Sequence, residues 1–195
     1  MKGPHLLLAA ALSALAAPAA ALQGDAEAAK AKLSMCIGCH GIPGYRTSFP
    51  DVYSVPKLGG QHPDYIVSAL QAYRSGERSH PTMRGIAGGL SEQDMADVAA
   101  YYAAGAKVDA ASNAPANDKA QVCAACHGAD GNSPTPVFPR IAGQNEDYLY
   151  QALQDYKAGR RKNPIMAAQV ESLSRQDMQD LAAWFSSQQG LFVKR

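Results

Sequence analysis

The chain has 195 residues, with 18 Lys and Arg against 17 Asp and Glu and a formal net charge of +1. So even a balance excludes the basic excess on which nucleic-acid binding draws, and the length fits one or two small domains. All 4 cysteines fall in two pentapeptides, so none is left for a structural disulfide.

The first 21 residues read as a signal peptide. Lys2 gives a short basic segment, Leu6 to Ala17 an apolar run, and Pro18-Ala19-Ala20-Ala21 a small-residue cleavage site after Ala21. The apolar run is too short to span a bilayer. A soluble protein exported to the periplasm is expected, with an uncleaved membrane anchor as the competing reading.

An Ala-rich helix expected from Asp25 to Met35 runs into Cys36-Ile37-Gly38-Cys39-His40, and the same pattern recurs at Cys123-Ala124-Ala125-Cys126-His127. Two thiols three positions apart can each add to one vinyl group of a single porphyrin, and the histidine that follows is then held against the iron. Its ring binds neutral through one nitrogen, and the other needs an acceptor to fix the tautomer. Two cysteine pairs could instead make a zinc site or a redox dithiol. Neither explains a histidine directly after both pairs, and a thioredoxin-like dithiol would want a βαβ pattern that is missing here. Two covalently bound haem c groups are therefore expected, attached at Cys36, Cys39, Cys123 and Cys126, with His40 and His127 as iron ligands. Haem would also help to hold the cores, since domains under about 90 residues are marginal on apolar burial alone.

An internal repeat organises the remainder. The pentapeptides are 87 residues apart, but from Gly60-Gln61 against Gly143-Gln144 onward the offset is 83, so the first copy carries four extra residues between His40 and Gly60. In mid-copy, Tyr65, Ile66, Ala69, Leu70 and Tyr73 keep a helical apolar stripe, as do Tyr148, Leu149, Ala152, Leu153 and Tyr156. Gly76 and Gly159 stand where a left-handed cap would be. The last helix of each copy opens with a capping-box-like start, Ser91-Glu92-Gln93-Asp94 or Ser174-Arg175-Gln176-Asp177. Its buried face is expected at Met95, Val98, Ala99 and Tyr102, then at Met178, Leu181, Ala182 and Phe185. Nothing reads as a sheet. Between the copies, 106–115 is rich in Ala, Ser, Asn and Asp and reads as a linker.

A sixth iron ligand common to both copies must occupy equivalent positions. His62 and His80 face Asn145 and Asn163 and fail that condition, although His80 remains a substitute in the first copy. Met83 with Met166 and Met95 with Met178 satisfy it. The second pair sits in a helical stripe, where methionine usually fills core. The first follows a proline by two residues with no stripe around it, as a loop would, and loop methionines can reach an iron. Met83 and Met166 are thus the expected axial ligands.

The paired pentapeptides, Pro-Lys-Leu-Gly-Gly-Gln at 56–61 against Pro-Arg-Ile-Ala-Gly-Gln at 139–144, and the two downstream methionines resemble the dihaem cytochrome c4 family over nearly the whole mature chain. That resemblance implies an all-α fold of two tandem cytochrome c-like haem domains, at 22–105 and 116–195, joined by the linker. It implies a periplasmic electron carrier, loosely associated with the membrane, taking electrons from a donor such as a quinol-oxidising complex toward a terminal oxidase. It also implies that the carbonyls of Pro56 and Pro139 accept from the axial histidines, and that Lys57 and Arg140 lie near haem propionates. The longer segment from Gly41 to Val55 departs from the repeat, so the cover of the first haem is expected to differ.

Irons saturated by His and Met leave no open position for substrate, so a carrier and not an enzyme is expected. A dihaem peroxidase and the dihaem subunit of a flavocytochrome are the alternatives. Lys157, Arg160, Arg161 and Lys162, just before Met166, read either as a patch that steers an acidic partner or as a solvated helix end.

Overall fold

The computed structural model describes residues 22–105 and 117–195; the expected signal peptide (1–21) and linker (106–115) lie outside the described residues. In the first copy a 3-10 turn at Ala28–Ala31 precedes α1 (Ser34–His40), a hairpin of β1 (Arg46–Thr47) and β2 (Tyr53–Ser54), α2 (Pro63–Ser75), α3 (Pro81–Gly88) and α4 (Glu92–Ala103). The second copy repeats the plan without the hairpin: a 3-10 turn at Asp118–Ala120, then α5 (Gln121–His127), α6 (Glu146–Lys157), α7 (Pro164–Val170) and α8 (Arg175–Ser186).

Three local expectations change. Each pentapeptide lies within a helix, α1 or α5, instead of following one. That helical turn puts each pair of cysteines, three apart, on one face. Met83 and Met166 sit not in loops but in the first turns of α3 and α7. Pro81 and Pro164 occupy the first helical position, where a fixed φ and a missing N–H cost nothing. His80 Nδ1 and Asn163 Oδ1 accept from the amides of Met83 and Met166 at 3.3 and 3.0 Å. Histidine and asparagine are thus equivalent as caps. The chain also contains a sheet after all: β1 and β2 pair antiparallel in the longer segment of the first copy.

The capping boxes form as expected. Ser91 Oγ accepts from Asp94 N at 3.1 Å while an Asp94 carboxylate oxygen accepts from Ser91 N at 2.9 Å, and Ser174 with Asp177 repeats this at 3.1 and 3.0 Å. Asp94 is held below the usual carboxylate range by the Ser91 amide and hydroxyl, with Lys32 adding to them. Asp177 is held below it by the Lys119 ammonium and then by Ser174. Ser91→Ala or Ser174→Ala should cost about 1 kcal/mol, read as a lower denaturant midpoint at unchanged slope. Because the folded-state pKa values are depressed, the carboxylates stabilise the fold above their ordinary pKa. That stabilisation disappears as pH falls through the lower folded values. The gap between parent and variant should therefore narrow below about pH 4.

Within each copy the last helix packs on the middle one. Met95, Val98, Ala99 and Tyr102 of α4 meet Ile66, Leu70 and Tyr73 of α2 in one core. Leu181, Ala182 and Phe185 of α8 meet Leu149 of α6 in the other.

The copies join across a seam with near two-fold symmetry. Gly60 N donates to Tyr102 O and Gly143 N to Phe185 O, both at 2.9 Å, with φ of 84° and 70°. A Cβ on Gly143 would also meet Gln188 O at 3.0 Å, so only glycine fits. These turns present the next residues to the opposite copy. Gln61 accepts from Arg140 N and donates to Arg140 O, and Gln144 does the same with Lys57, all four bonds at 2.9 Å. A second symmetric pair follows, Ser79 N to Arg160 O at 3.0 Å and Lys162 N to Glu77 O at 2.8 Å.

Two features break the symmetry. The Asp147 carboxylate on α6 accepts from Ser54 N and Oγ, in the hairpin's β2, at 2.9 and 3.0 Å. Residues 192–195 cross back to the first copy. There Gly59 and Phe192 exchange backbone bonds at 3.0 and 3.1 Å, Lys194 Nζ donates to Ala104 O at 2.6 Å, and Tyr101 Oη donates to Arg195 O at 2.7 Å.

Candidate haem-binding site

His40 and His127 end the α1 and α5 turns that carry the cysteines. The Nδ1 of His40 lies 2.8 Å from Pro56 O, and that of His127 lies 2.9 Å from Pro139 O. Only a protonated Nδ1 can bond to a carbonyl, which leaves Nε2 with its lone pair for a metal. Burial lowers the pKa of both rings against the opposing pull of those carbonyls, which keeps them neutral. The cysteines behave differently from a redox dithiol. Burial pushes the Cys36 and Cys123 thiols up, whereas a catalytic dithiol is held down. Nor do the pairs combine into a four-sulfur set: among the described residues no three His, Cys, Asp or Glu side chains converge on a metal position.

Both pentapeptides open on one continuous cavity of about 1260 Å³, whose walls also include Met83 and Met166. That exceeds the roughly 300–1,000 Å³ typical of a site for one small molecule. Met95 and Met178 do not reach it; they are buried in the cores at 0% and 6% exposure. Apolar side chains such as Ile66, Leu70, Leu149 and Leu153 make most of the wall. Three buried polar atoms on that wall have no hydrogen-bond partner: Arg78 Nε, Tyr102 Oη and Arg140 Nε. An apolar cavity with thiols, a neutral imidazole and orphaned donors suits a flat apolar macrocycle that carries an anionic edge, and the residues fit haem.

The basic residues have contacts beyond those expected of them. Lys57 Nζ donates to Gly143 O and Arg140 Nη1 to Gly60 O, the latter at 2.5 Å, so both help to close the seam as well as lining the cavity. The run before Met166 is not an exposed patch of four. Arg161 is 6% exposed, Arg160 pairs with Asp155 at 2.7 Å, and Lys157 Nζ donates to Leu173 O at 2.5 Å. Of the other histidines among the described residues, His62 bonds through Nε2 to Ser133 O across the seam at 2.8 Å, and His80 caps α3.

Two mainly helical copies, each presenting a Cys-x-x-Cys-His helix to an apolar cavity, define a c-type cytochrome with two covalently attached haem c groups. The cytochrome c family profile matches residues 26–104 and again 118–189. Cytochrome c-552 of Acidithiobacillus ferridurans is 33% identical over 93% of this chain and 86% of its own length. Cytochrome c4 of Stutzerimonas stutzeri is 52% identical over 37% of this chain, a match that spans 39% of that relative's length. The thiosulfate dehydrogenase electron acceptor of Stutzerimonas stutzeri is 30% identical over 78% of each chain. The crystal structure of reduced cytochrome c4 from Pseudomonas stutzeri superposes with a TM-score of 0.68 at 29% identity, covering 85% of this chain and 99% of that one. The chain belongs to the dihaem cytochrome c4 family.

Proposed function

We propose that the protein is a periplasmic electron carrier that passes electrons between redox proteins and catalyses no reaction of its own. The carrying observation is that both copies bring a histidine and a methionine, His40 with Met83 and His127 with Met166, to the wall of the same cavity. Each haem iron, when bound, supplies one-electron chemistry. His40 and His127 would hold the irons, their rings fixed by the carbonyls of Pro56 and Pro139. Met83 and Met166 would hold them as well, favouring the reduced state. The apolar walls exclude water, and the paired glutamines of the seam keep the two sites in a fixed relation. The boundaries 22–105 and 116–195 belong to this proposal as the two haem-carrying units.

Visible and near-infrared spectra with a spectroelectrochemical titration test the reading. Two low-spin one-electron centres are expected. A high-spin centre that reacts with peroxide would replace the carrier with a peroxidase. Intact mass offers a second check: two haems should survive denaturation in acid and organic solvent, and Cys36→Ala/Cys39→Ala should leave one.

For partners, a quinol-oxidising complex as donor and a terminal oxidase as acceptor suit the cytochrome c4 reading. A second donor is favoured by the relative named as an electron acceptor of thiosulfate dehydrogenase, which aligns over most of the chain. Stopped-flow reduction by each donor separates the two.

A further inference from the structure

Arg78 and Arg161 are equivalent in the repeat and meet across the seam, 9% and 6% exposed. Both line the haem cavity. Each donates through Nη2 to the same hydroxyl, Tyr148 Oη, at 3.1 Å, and the Arg78 guanidinium lies 4.5 Å from the centre of the Tyr73 ring. The crowding of positive charge is felt by Tyr148: burial alone would raise its pKa, yet Arg161 and Arg78 draw it down to about 8.

The two arginines are not equally compensated. Arg161 has a carboxylate, Asp155 Oδ2, at 3.7 Å, and Asp155 also pairs with Arg160. The residue equivalent to Asp155 in the first copy is Ala72. Arg78 therefore makes no ion pair among the described residues, and its buried Nε has no partner. A buried guanidinium without a counter-anion is strongly disfavoured, and orphaned buried donors are rare enough to call for a ligand.

We propose that Arg78 and Arg161 form an anion-binding pair at the seam whose ligand is a haem carboxylate, with Arg78 the main counter-ion because Asp155 already serves Arg161. The inference needs the attached haems but neither the methionine ligation nor the carrier role. The pair positions a cation beside one haem more strongly than beside the other. A fixed positive charge favours the reduced iron, which carries less charge, so Arg78 raises one of the two reduction potentials and Asp155 limits what Arg161 does.

The test uses the holoprotein with both haems confirmed by intact mass and the fold by circular dichroism. Arg78→Gln should lower one potential and leave the other in place, Asp155→Asn should raise one, and Arg78→Lys should fall between Arg78→Gln and the parent. Oxidised-minus-reduced infrared spectra, with the haem carboxylates isotopically labelled, supply a readout independent of electron-transfer activity. Arg78→Gln should shift a labelled carboxylate band. A free anion is the other source of the same chemistry: if exchanging chloride for phosphate at constant ionic strength moves the parent's potentials and no labelled band shifts, the haem assignment is overturned. Potentials and labelled bands that match the parent's in both Arg78 variants overturn the pair itself.

Discussion

Met83→Ala and Met166→Ala should each remove about half of the long-wavelength methionine-to-iron charge-transfer band and lower one of the two reduction potentials, since His/Met ligation favours the reduced state. The double variant should lose the band entirely while keeping both haems by intact mass. Met95→Ala and Met178→Ala are the matched controls. Their side chains are packed in the cores at 0% and 6% exposure. Truncation there should leave the band whole and cost about 2–5 kcal/mol of stability through lost burial and a residual cavity. A band lost on changing Met95 or Met178, with Met83→Ala silent, would refute the ligand assignment.

Gln61→Leu should act on the seam instead of on an iron. It strips partners from Arg140 N, Arg140 O and His62 N, whose bonds to Gln61 are all 2.9 Å long. At roughly 1 kcal/mol for each backbone group left without a partner, the cost is about 3 kcal/mol. Gln144→Leu does the equivalent damage to Lys57 and Asn145. With both changes, thermal unfolding monitored at the two haems should separate into two transitions where the parent shows one. A single transition at the parent's midpoint would mean that the amides contribute nothing to joining the copies.

What the sequence disclosed and what it concealed divide along a physical line. The Cys-x-x-Cys-His spacing, the capping boxes and the positions of Gly76 and Gly159 rest on chemistry between residues a few positions apart, so the order of letters carries them. Met83 and Met166 stand at equivalent positions in the first turns of α3 and α7 and both line the cavity. Their helices were missed because Pro81 and Pro164 signal a break when read alone and a first helical position only when the cap before them is recognised. The hairpin has strands of two residues, too short for any alternation to show. The seam was hidden for a different reason. Gln61 and Gln144 bond to backbone atoms of the other copy, and backbone leaves no mark in a sequence. Of the basic run near Met166 only Arg161 turns inward while Lys157, Arg160 and Lys162 stay exposed, and charge alone does not reveal which member of a run is buried. The match of Arg78 with Arg161, inside a repeat where most surface positions differ, was the available sign that these two serve something shared.

The crossing of residues 192–195 bears on the order in which the molecule can be completed. A chain is made from its N-terminus, so α4 and the Gly59 backbone exist long before Phe192 and Lys194 do. Those residues supply the bonds to the Gly59 amide and carbonyl and to the Ala104 carbonyl. The first copy can gather its own core while synthesis proceeds, but its edge is closed only by the far end of the second. Maturation of the earlier-made half therefore waits on the later one, and truncation after Leu191 should be felt first in the half that was synthesised first.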